Sequence, residues 1–235
     1  MRAFVIILEM FLMRARGGGR RSEKVVYHFP NPISSILHGR TRSNLLKMAW
    51  ARFPQQLIVD IGCRKGGFTR HLTSIGLVVG LDVNKTAVFW AKKNVPDADF
   101  ICADVCHLPI KNNSVDLVVG ASILEFIENL ECAVKQIQTV LGRHGMFVVG
   151  YPIETPLLKA GIELISRRSV RMWDPRRVMS EEEYRRSPDT HKQKYPAIRR
   201  MLSKYFRPLR KEKVPFTFLP DFLSIYECSM LAKAK

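Results

Sequence analysis

The sequence lacks any paired-cysteine motif, and this absence argues against two kinds of small protein. Its five cysteines are an odd number, lie in apolar surroundings and include no C-x-x-C pair. Disulfide frameworks and zinc sites both need several cysteines at short, regular spacing. We therefore expect reduced thiols in a cytoplasmic protein, and no metal site.

Long hydrophobic runs are also missing. The apolar stretch at residues 1–13, MRAFVIILEMFLM, is interrupted by Glu9 and is too short to span a bilayer. It has no small-residue cleavage site, which argues against a secretory signal. Residues 1–30 are interpreted as a mobile, basic and partly apolar extension. Peripheral membrane contact is the alternative, because the basic RARGGGRRSEK that follows could bind anionic lipid.

Acidic residues are scarce, with 21 Asp and Glu against 38 Lys and Arg, and the net charge is +17. The excess lies in two segments, +7 in residues 1–50 and +10 in residues 159–213, while the rest of the chain is neutral. This distribution predicts an anionic partner: a nucleic acid, a membrane surface or a phosphorylated substrate. A solvated, thermophile-like surface is the alternative, although such surfaces usually balance Lys and Arg with Glu.

The sequence does contain a regular alternation of apolar runs and helical spacing. Five short apolar runs predict buried parallel strands at 57–62, 76–83, 98–104, 114–121 and 145–152. Helical spacing occurs at 31–53, as one or two helices leading into the core, and at 66–75, 85–94 and 129–141. The alternation predicts an α/β fold, with a doubly wound, mostly parallel, Rossmann-like sheet over residues 31–152.

The chain after residue 152 departs from this alternation. Residues 153–205 are rich in arginine and have helical spacing without a clear strand, which predicts a basic helical cap inserted into the fold. Residues 206–235 predict two strands around a proline-interrupted loop. We expect these strands to form a C-terminal antiparallel hairpin that completes the sheet.

The stretch LIVDIGCRKGGFTRHL gives the first indication of function. A strand ends at Asp60 and Gly62, and the chain then turns tightly through Gly66. Glycines here let the backbone approach a ligand, and N–H groups after the turn can donate to it. The motif alone is weak evidence, because nicotinamide and flavin enzymes use a similar turn.

Three acids favour a different ligand. Asp60 would repel the pyrophosphate of a dinucleotide but attract a cationic methionine moiety. Asp82 can accept two hydrogen bonds from a ribose diol, and Asp104 can accept one from an adenine amine. Because each acid ends one of three consecutive strands, the three converge at the edge where α/β sheets bind ligands. Helix capping or turn formation by each Asp is the alternative.

On these residues the chain resembles the UbiE-like, or type 11, class I methyltransferases over about residues 55–152. DIGCRKGGFT resembles the first motif of the family, GLDVNKTAV the second, and ADVCHLPIKNNSVDLVVGASILEFIEN the third with the following strand. The resemblance implies a methyltransferase with S-adenosyl-L-methionine as its cofactor. The contacts that it implies are Asp60, Gly62, Cys63 and Gly66 around the methionine part, Asp82 and Val83 at the ribose and adenine, Asp104 and Val105 at the adenine, and Ala121 and Ser122 beside the sulfonium.

Two positions depart from the family pattern. Arg64 stands where the family has the second glycine of a G-x-G-x-G turn. Its side chain could point outward, pair with the cofactor carboxylate, or obstruct the site in a degenerate protein. We expect the first. Phe126 stands where many relatives carry histidine, which weakens any role for a general base there.

The acceptor is less constrained than the cofactor. S-adenosylmethionine carries its own electrophile, so a dedicated base is optional. If the acceptor is a hydroxyl, the candidate bases are His107, His191, Tyr27 and Tyr151, and none is favoured by its spacing.

The cap resembles the substrate-covering segment of small-molecule or lipid methyltransferases. We therefore expect an anionic small-molecule or lipid-type acceptor. The cap arginines that would attract it include Arg167, Arg168, Arg171, Arg176 and Arg177. An RNA methyltransferase using the basic segments as a phosphate track, and a non-catalytic S-adenosylmethionine-binding protein, are the alternatives.

Overall fold

The computed structural model describes residues 32–50, 56–153, 191–221 and 224–234. The predicted extension at 1–30 and most of the predicted cap lie outside the described residues, so both domain assignments stay predictions. The described helices are α1 (Pro32–Trp50), α2 (Lys85–Asn94), α3 (Leu130–Val140) and α4 (Tyr195–Tyr205). The strands are β1 (Gln56–Ile61), β2 (Gly76–Asp82), β3 (Asp99–Cys102), β4 (Val115–Ala121), β5 (Leu141–Pro152), β6 (Phe206–Val214) and β7 (Tyr226–Lys233).

The seven strands form one mixed sheet in the order β3-β2-β1-β4-β5-β7-β6. Strands β1 to β5 are parallel, whereas β7 is antiparallel to both β5 and β6. The predicted Rossmann-like sheet with antiparallel C-terminal strands is therefore confirmed. Because β1 pairs with both β2 and β4, the strand order reverses at β1, and in α/β sheets ligands bind at the carboxyl ends of the strands at such a point.

Both faces of the sheet are covered, and residues alternate between them along each strand. In β1, Ile58 packs in the cluster that contains Leu45 and Met48 of α1, whereas Val59 packs in the cluster with α3 and α4. Opposite directions for consecutive side chains are what a strand dictates. Two buried faces explain why this strand is apolar on both sides.

Asparagine side chains start two of the helices. The Asn84 side chain accepts a hydrogen bond from the N–H of Ala87 at 3.1 Å, and Asn129 accepts one from Cys132 at 3.1 Å. Each bond satisfies an N–H group that has no partner within the first turn of a helix. No described helix is both long and apolar enough to cross a membrane.

The helix predicted at 66–75 is replaced by a 3₁₀ turn, Thr69–His71, between looser turns. Gly66 has a φ of 80°, so the segment begins with a residue outside the helical region. The hydroxyl of Thr69 is bonded to Asp60. The apolar positions Phe68 and Leu72 of this pattern are nevertheless both buried.

The helical pattern at 31–53, which precedes the sheet, forms a single helix, α1.

Candidate active site

Strands β1, β2, β3 and β4 end at one level, which brings together the turns that follow them. In the register of the sheet, Ile61 lies opposite Leu81 on one side and Gly120 on the other, and Asp82 lies opposite Cys102. The acids and glycines singled out in the sequence therefore lie along one edge of the sheet.

The turn after β1 is held against the end of β2 by backbone hydrogen bonds. The N–H groups of Gly62 and Cys63 both donate to the carbonyl of Leu81, at 2.7 and 3.0 Å. Gly62 has a φ of 71°, and a Cβ added there would lie 2.7 Å from Cδ1 of Ile123, after β4. Glycine is thus needed at this position for both its conformation and its small size.

Asp82 links the two turns through its carboxylate. Its Oδ2 accepts a hydrogen bond from the N–H of Arg64 at 2.8 Å, and its Oδ1 accepts one from Asn84 at 2.9 Å. The carboxylate is therefore fixed in orientation while remaining partly exposed. Each carboxylate oxygen has two lone pairs, so each can accept one further hydrogen bond from a ligand.

Asp60 lies beneath the turn, with only 1% of its surface exposed. Its Oδ2 accepts a hydrogen bond from the Thr69 hydroxyl at 2.6 Å. Burial raises the pKa of Asp60 to about 7, although the bond from Thr69 opposes this rise and the charge of Asp82 adds to it. A buried carboxylate of this kind would gain from a nearby cation, but contact with a methionine ammonium stays a prediction.

Cys63 is buried within the same turn. Burial, followed by the negative charges of Asp60 and Asp82, raises the pKa of its thiol. The thiol is therefore protonated at neutral pH and is not activated as a nucleophile.

Asp104 caps the 3₁₀ turn Val105–His107 at the end of β3. Its Oδ1 accepts a hydrogen bond from the N–H of Cys106 at 2.9 Å, while the residue as a whole is exposed. The capping interpretation is thus correct for this acid, and its second oxygen is still available to a ligand. Val83, directly after β2, is 68% exposed, and its contact with an adenine ring stays a prediction.

The chain after β4 bends sharply at Ser122, which has a φ of 59°. The N–H of Ser122 donates to the carbonyl of Gly150 in β5 at 2.9 Å, and Ala121 is partly exposed. The next turn is a docking point for the end of the cap, because the N–H groups of Lys192 and Gln193 donate to the carbonyl of Glu125 at 2.6 and 3.0 Å. No local sequence pattern predicts this contact.

A second polar group beside the site was not predicted. Glu227 of β7 is buried and accepts hydrogen bonds from the hydroxyls of Tyr151 at 2.6 Å, Tyr195 at 2.9 Å and Ser229 at 3.0 Å. Burial raises the pKa of Glu227, but these bonds and the charge of Lys211 outweigh it, and the net pKa lies below its ordinary value.

This network argues against Tyr151 as a general base. Burial, followed by the charge of Glu227, raises the pKa of Tyr151. Tyr151 therefore keeps its proton at neutral pH and acts as a hydrogen-bond donor.

The other candidate bases do not converge on one point. His191 packs edge-on against Phe126 with 5.0 Å between ring centroids, His107 is exposed, and Tyr27 lies outside the described residues. No group of three or more potential metal ligands occurs within the described parts of the chain.

The geometry agrees with comparisons to known proteins. Residues 59–149 match a family model described as a methyltransferase domain. An uncharacterized protein of Methanocaldococcus jannaschii is 31% identical over 109 residues, which are 45% of each chain. The mitochondrial arginine-hydroxylase NDUFAF5 of Mus musculus is 35% identical over 98 residues, 39% of this chain and 27% of that protein.

Among solved structures, the N-methyltransferase NodS from Bradyrhizobium japonicum, in complex with S-adenosyl-l-homocysteine, is similar with a TM-score of 0.63. The match covers 91% of this chain and 94% of that one at 14% identity, so it shows a shared fold and nothing further. The matched segment spans less than half the length of the two curated relatives.

Proposed function

Since residues 59–149 match a methyltransferase-domain model, we propose that the chain is a class I S-adenosylmethionine-dependent methyltransferase that transfers a methyl group from this cofactor to a small-molecule or lipid-type acceptor. The observation that carries the proposal is the fixed, partly exposed carboxylate of Asp82 at the end of β2. A ribose diol needs an acceptor held in one orientation, and the two backbone N–H bonds to Asp82 supply it.

The remaining residues fit the same cofactor. Val83, Asp104 and Val105 would hold the adenine, while the turn of Gly62, Cys63 and Gly66 with Ala121 would hold the methionine part. The buried Asp60 would favour its positive charge. The bound cofactor supplies an electrophilic methyl group on sulfur. The chain's own task is to bind, to orient the acceptor and to exclude water.

A direct test of the cofactor site is calorimetry with S-adenosylmethionine, S-adenosylhomocysteine and NAD. We expect saturable binding of the first two and no binding of NAD, since negative charge on the buried Asp60 beneath the turn would repel its pyrophosphate. Binding of NAD alone would contradict the site assignment.

Replacing Asp82 tests the residue that carries the proposal. Asp82→Ala should weaken both methionine derivatives by about 1.5–3 kcal/mol, the cost of losing a charged hydrogen-bond partner, and Asp82→Glu should be intermediate. Asp97→Ala, at an exposed acid before β3, is the matched control and should change neither affinity. Equal affinities for wild type and Asp82→Ala would show that Asp82 only supports the turns.

The acceptor class needs a separate test, because it rests on the basic cap. A tritium-methyl transfer assay on fractionated cell extract would be read separately for RNA, protein, lipid and small molecules. We expect label in the lipid or small-molecule fraction. Label in RNA would favour the alternative acceptor, and cofactor binding without any label would favour a non-catalytic protein. A cytoplasmic location belongs to the same proposal, with peripheral membrane contact as the alternative.

A further inference from the structure

A groove of about 760 Å³ lies between α1 and the segment that follows β1. One wall is a stripe along α1 at helical spacing, and the other wall comes from the 3₁₀ turn and the residues after it. The lining residues are Gly39, Arg42, Ser43, Leu46, Lys47, Trp50, Arg70, His71 and Ser74.

This groove is separate from the cofactor site. Its α1 wall ends at Trp50, before β1 begins at Gln56, and its other wall ends at Ser74, before β2 begins at Gly76. It therefore extends toward the amino ends of the strands, whereas Asp82 and Asp104 lie at the carboxyl ends.

Among the described residues, the lining is cationic and contains no acid. Arg42, Lys47 and Arg70 contribute three positive charges. Burial, followed by the charges of Arg42 and Arg70, lowers the pKa of His71, so both guanidinium groups act on the same side chain. The Nε atom of Arg70 is buried and has no hydrogen-bond acceptor among the described residues.

The length and the aromatic content of the groove indicate the kind of anion. From residue 39 to residue 50, α1 rises by about 16 Å at 1.5 Å per residue, which is longer than a single phosphate requires. Trp50 is 59% exposed at one end of the groove and lies three residues after Lys47, on the same side of α1. Cations along a concave track, with an aromatic ring for stacking, are how proteins bind single-stranded nucleic acid. A membrane surface would instead need protruding apolar side chains.

The geometry points to a binding groove for single-stranded nucleic acid, with phosphates at Arg42, Lys47 and Arg70 and a base stacked on Trp50. This inference concerns a surface other than the cofactor-binding edge of the sheet, and it stands whichever acceptor the enzyme uses. The phosphodiester strand is the shared chemistry of RNA and DNA, and the experiment separates the two.

The test measures fluorescence anisotropy of labelled RNA and DNA oligonucleotides of about ten nucleotides, within the usual span of such sites. Arg42→Gln/Lys47→Gln should weaken binding about tenfold at 0.1 M salt and reduce the slope of log K against log salt by about 1.4, at about 0.7 per lost phosphate contact. Trp50→Ala should weaken binding about tenfold through loss of stacking.

The matched control, Lys85→Gln/Lys92→Gln, removes the same charge from exposed positions on α2 and should change affinity less than about twofold. Thermal melts establish that every variant is folded. Equal losses in both double variants, no binding of either oligonucleotide, or a groove-dependent preference for anionic phospholipid vesicles over both oligonucleotides would each overturn the inference. A preference for RNA over DNA, or equal affinity for both, would support it.

Discussion

At residue 64, an arginine occupies backbone angles that favour glycine. Its φ is 48°, its N–H is bonded to Asp82, and it is exposed. The left-handed conformation costs a non-glycine residue about 1–2 kcal/mol. Arg64 therefore keeps the left-handed turn conformation that glycine has in the family pattern. Its exposed side chain agrees with the expectation that it points outward.

Arg64→Gly should raise the free energy of unfolding by about 0.5–1 kcal/mol, because relief of the left-handed strain exceeds the greater entropy of glycine in the unfolded chain. Arg64→Ala is the control, since it removes the side chain but keeps the strain. Denaturant titration measures both. Cofactor affinity should stay within tenfold of wild type. A larger change in either direction would show that the side chain meets or blocks the cofactor.

Asp60 makes stability depend on pH. Its folded-state pKa of about 7 lies above its ordinary value of 3.8, so the folded protein binds more protons than the unfolded chain between these values. The contribution is present below about pH 4 and is lost as pH rises through 7. In the protein without cofactor, the unfolding free energy should thus fall over this range, relative to Asp60→Asn, by on the order of 2–4 kcal/mol. Parallel curves for the two proteins would contradict the raised pKa.

At the scale of single elements, β1, β2, β4 and β5 were predictable because each contains a short apolar run bounded by turn residues. The structure of the segment at 66–75 was not predicted correctly, because its apolar spacing is that of a helix while the left-handed Gly66 prevents a regular helix start. The location of Asp82 and Asp104 at the carboxyl edge of the sheet could be predicted, because each acid comes at the end of an apolar run. The backbone N–H groups that bond to them could not be predicted, because they depend on how the turns fold.

The contact between Tyr151 and Glu227 joins residues 76 positions apart, and no local pattern reveals such a pair. It ties β5 to β7, and Tyr195 ties α4 to the same carboxylate. Tyr151→Phe should lower the unfolding free energy by about 1–3 kcal/mol, since a buried carboxylate loses a donor, while cofactor affinity is unchanged. Tyr205→Phe, whose hydroxyl bonds the partly exposed Glu131, should cost less. Similar costs for both variants would mean that burial adds nothing to the Tyr151 bond.

At the scale of the whole molecule, the excess positive charge and the acids of the cofactor site lie in different segments of the chain. The three acids of the site lie in the neutral part of the chain, whereas the basic excess lies before it and after it. The described end of the cap docks on the turn that contains Glu125, next to Ala121 and Ser122. The basic segment therefore returns to the sheet at the edge where the methionine part of the cofactor is proposed to lie.

This arrangement predicts that salt affects the two substrates differently. If the cap attracts an anionic acceptor, kcat/KM for that acceptor should fall as salt rises from about 0.05 to 0.5 M, because screening shortens the reach of surface charges to well under 10 Å. The affinity for S-adenosylmethionine should change little, since short hydrogen bonds to Asp82 and Asp104 are expected to dominate it. Arg167→Gln/Arg168→Gln should reduce the salt dependence of kcat/KM, whereas the exposed pair Lys85→Gln/Lys92→Gln should not. A kcat/KM that is independent of salt would show that the basic segment does not guide the acceptor, even if the cofactor binds as proposed.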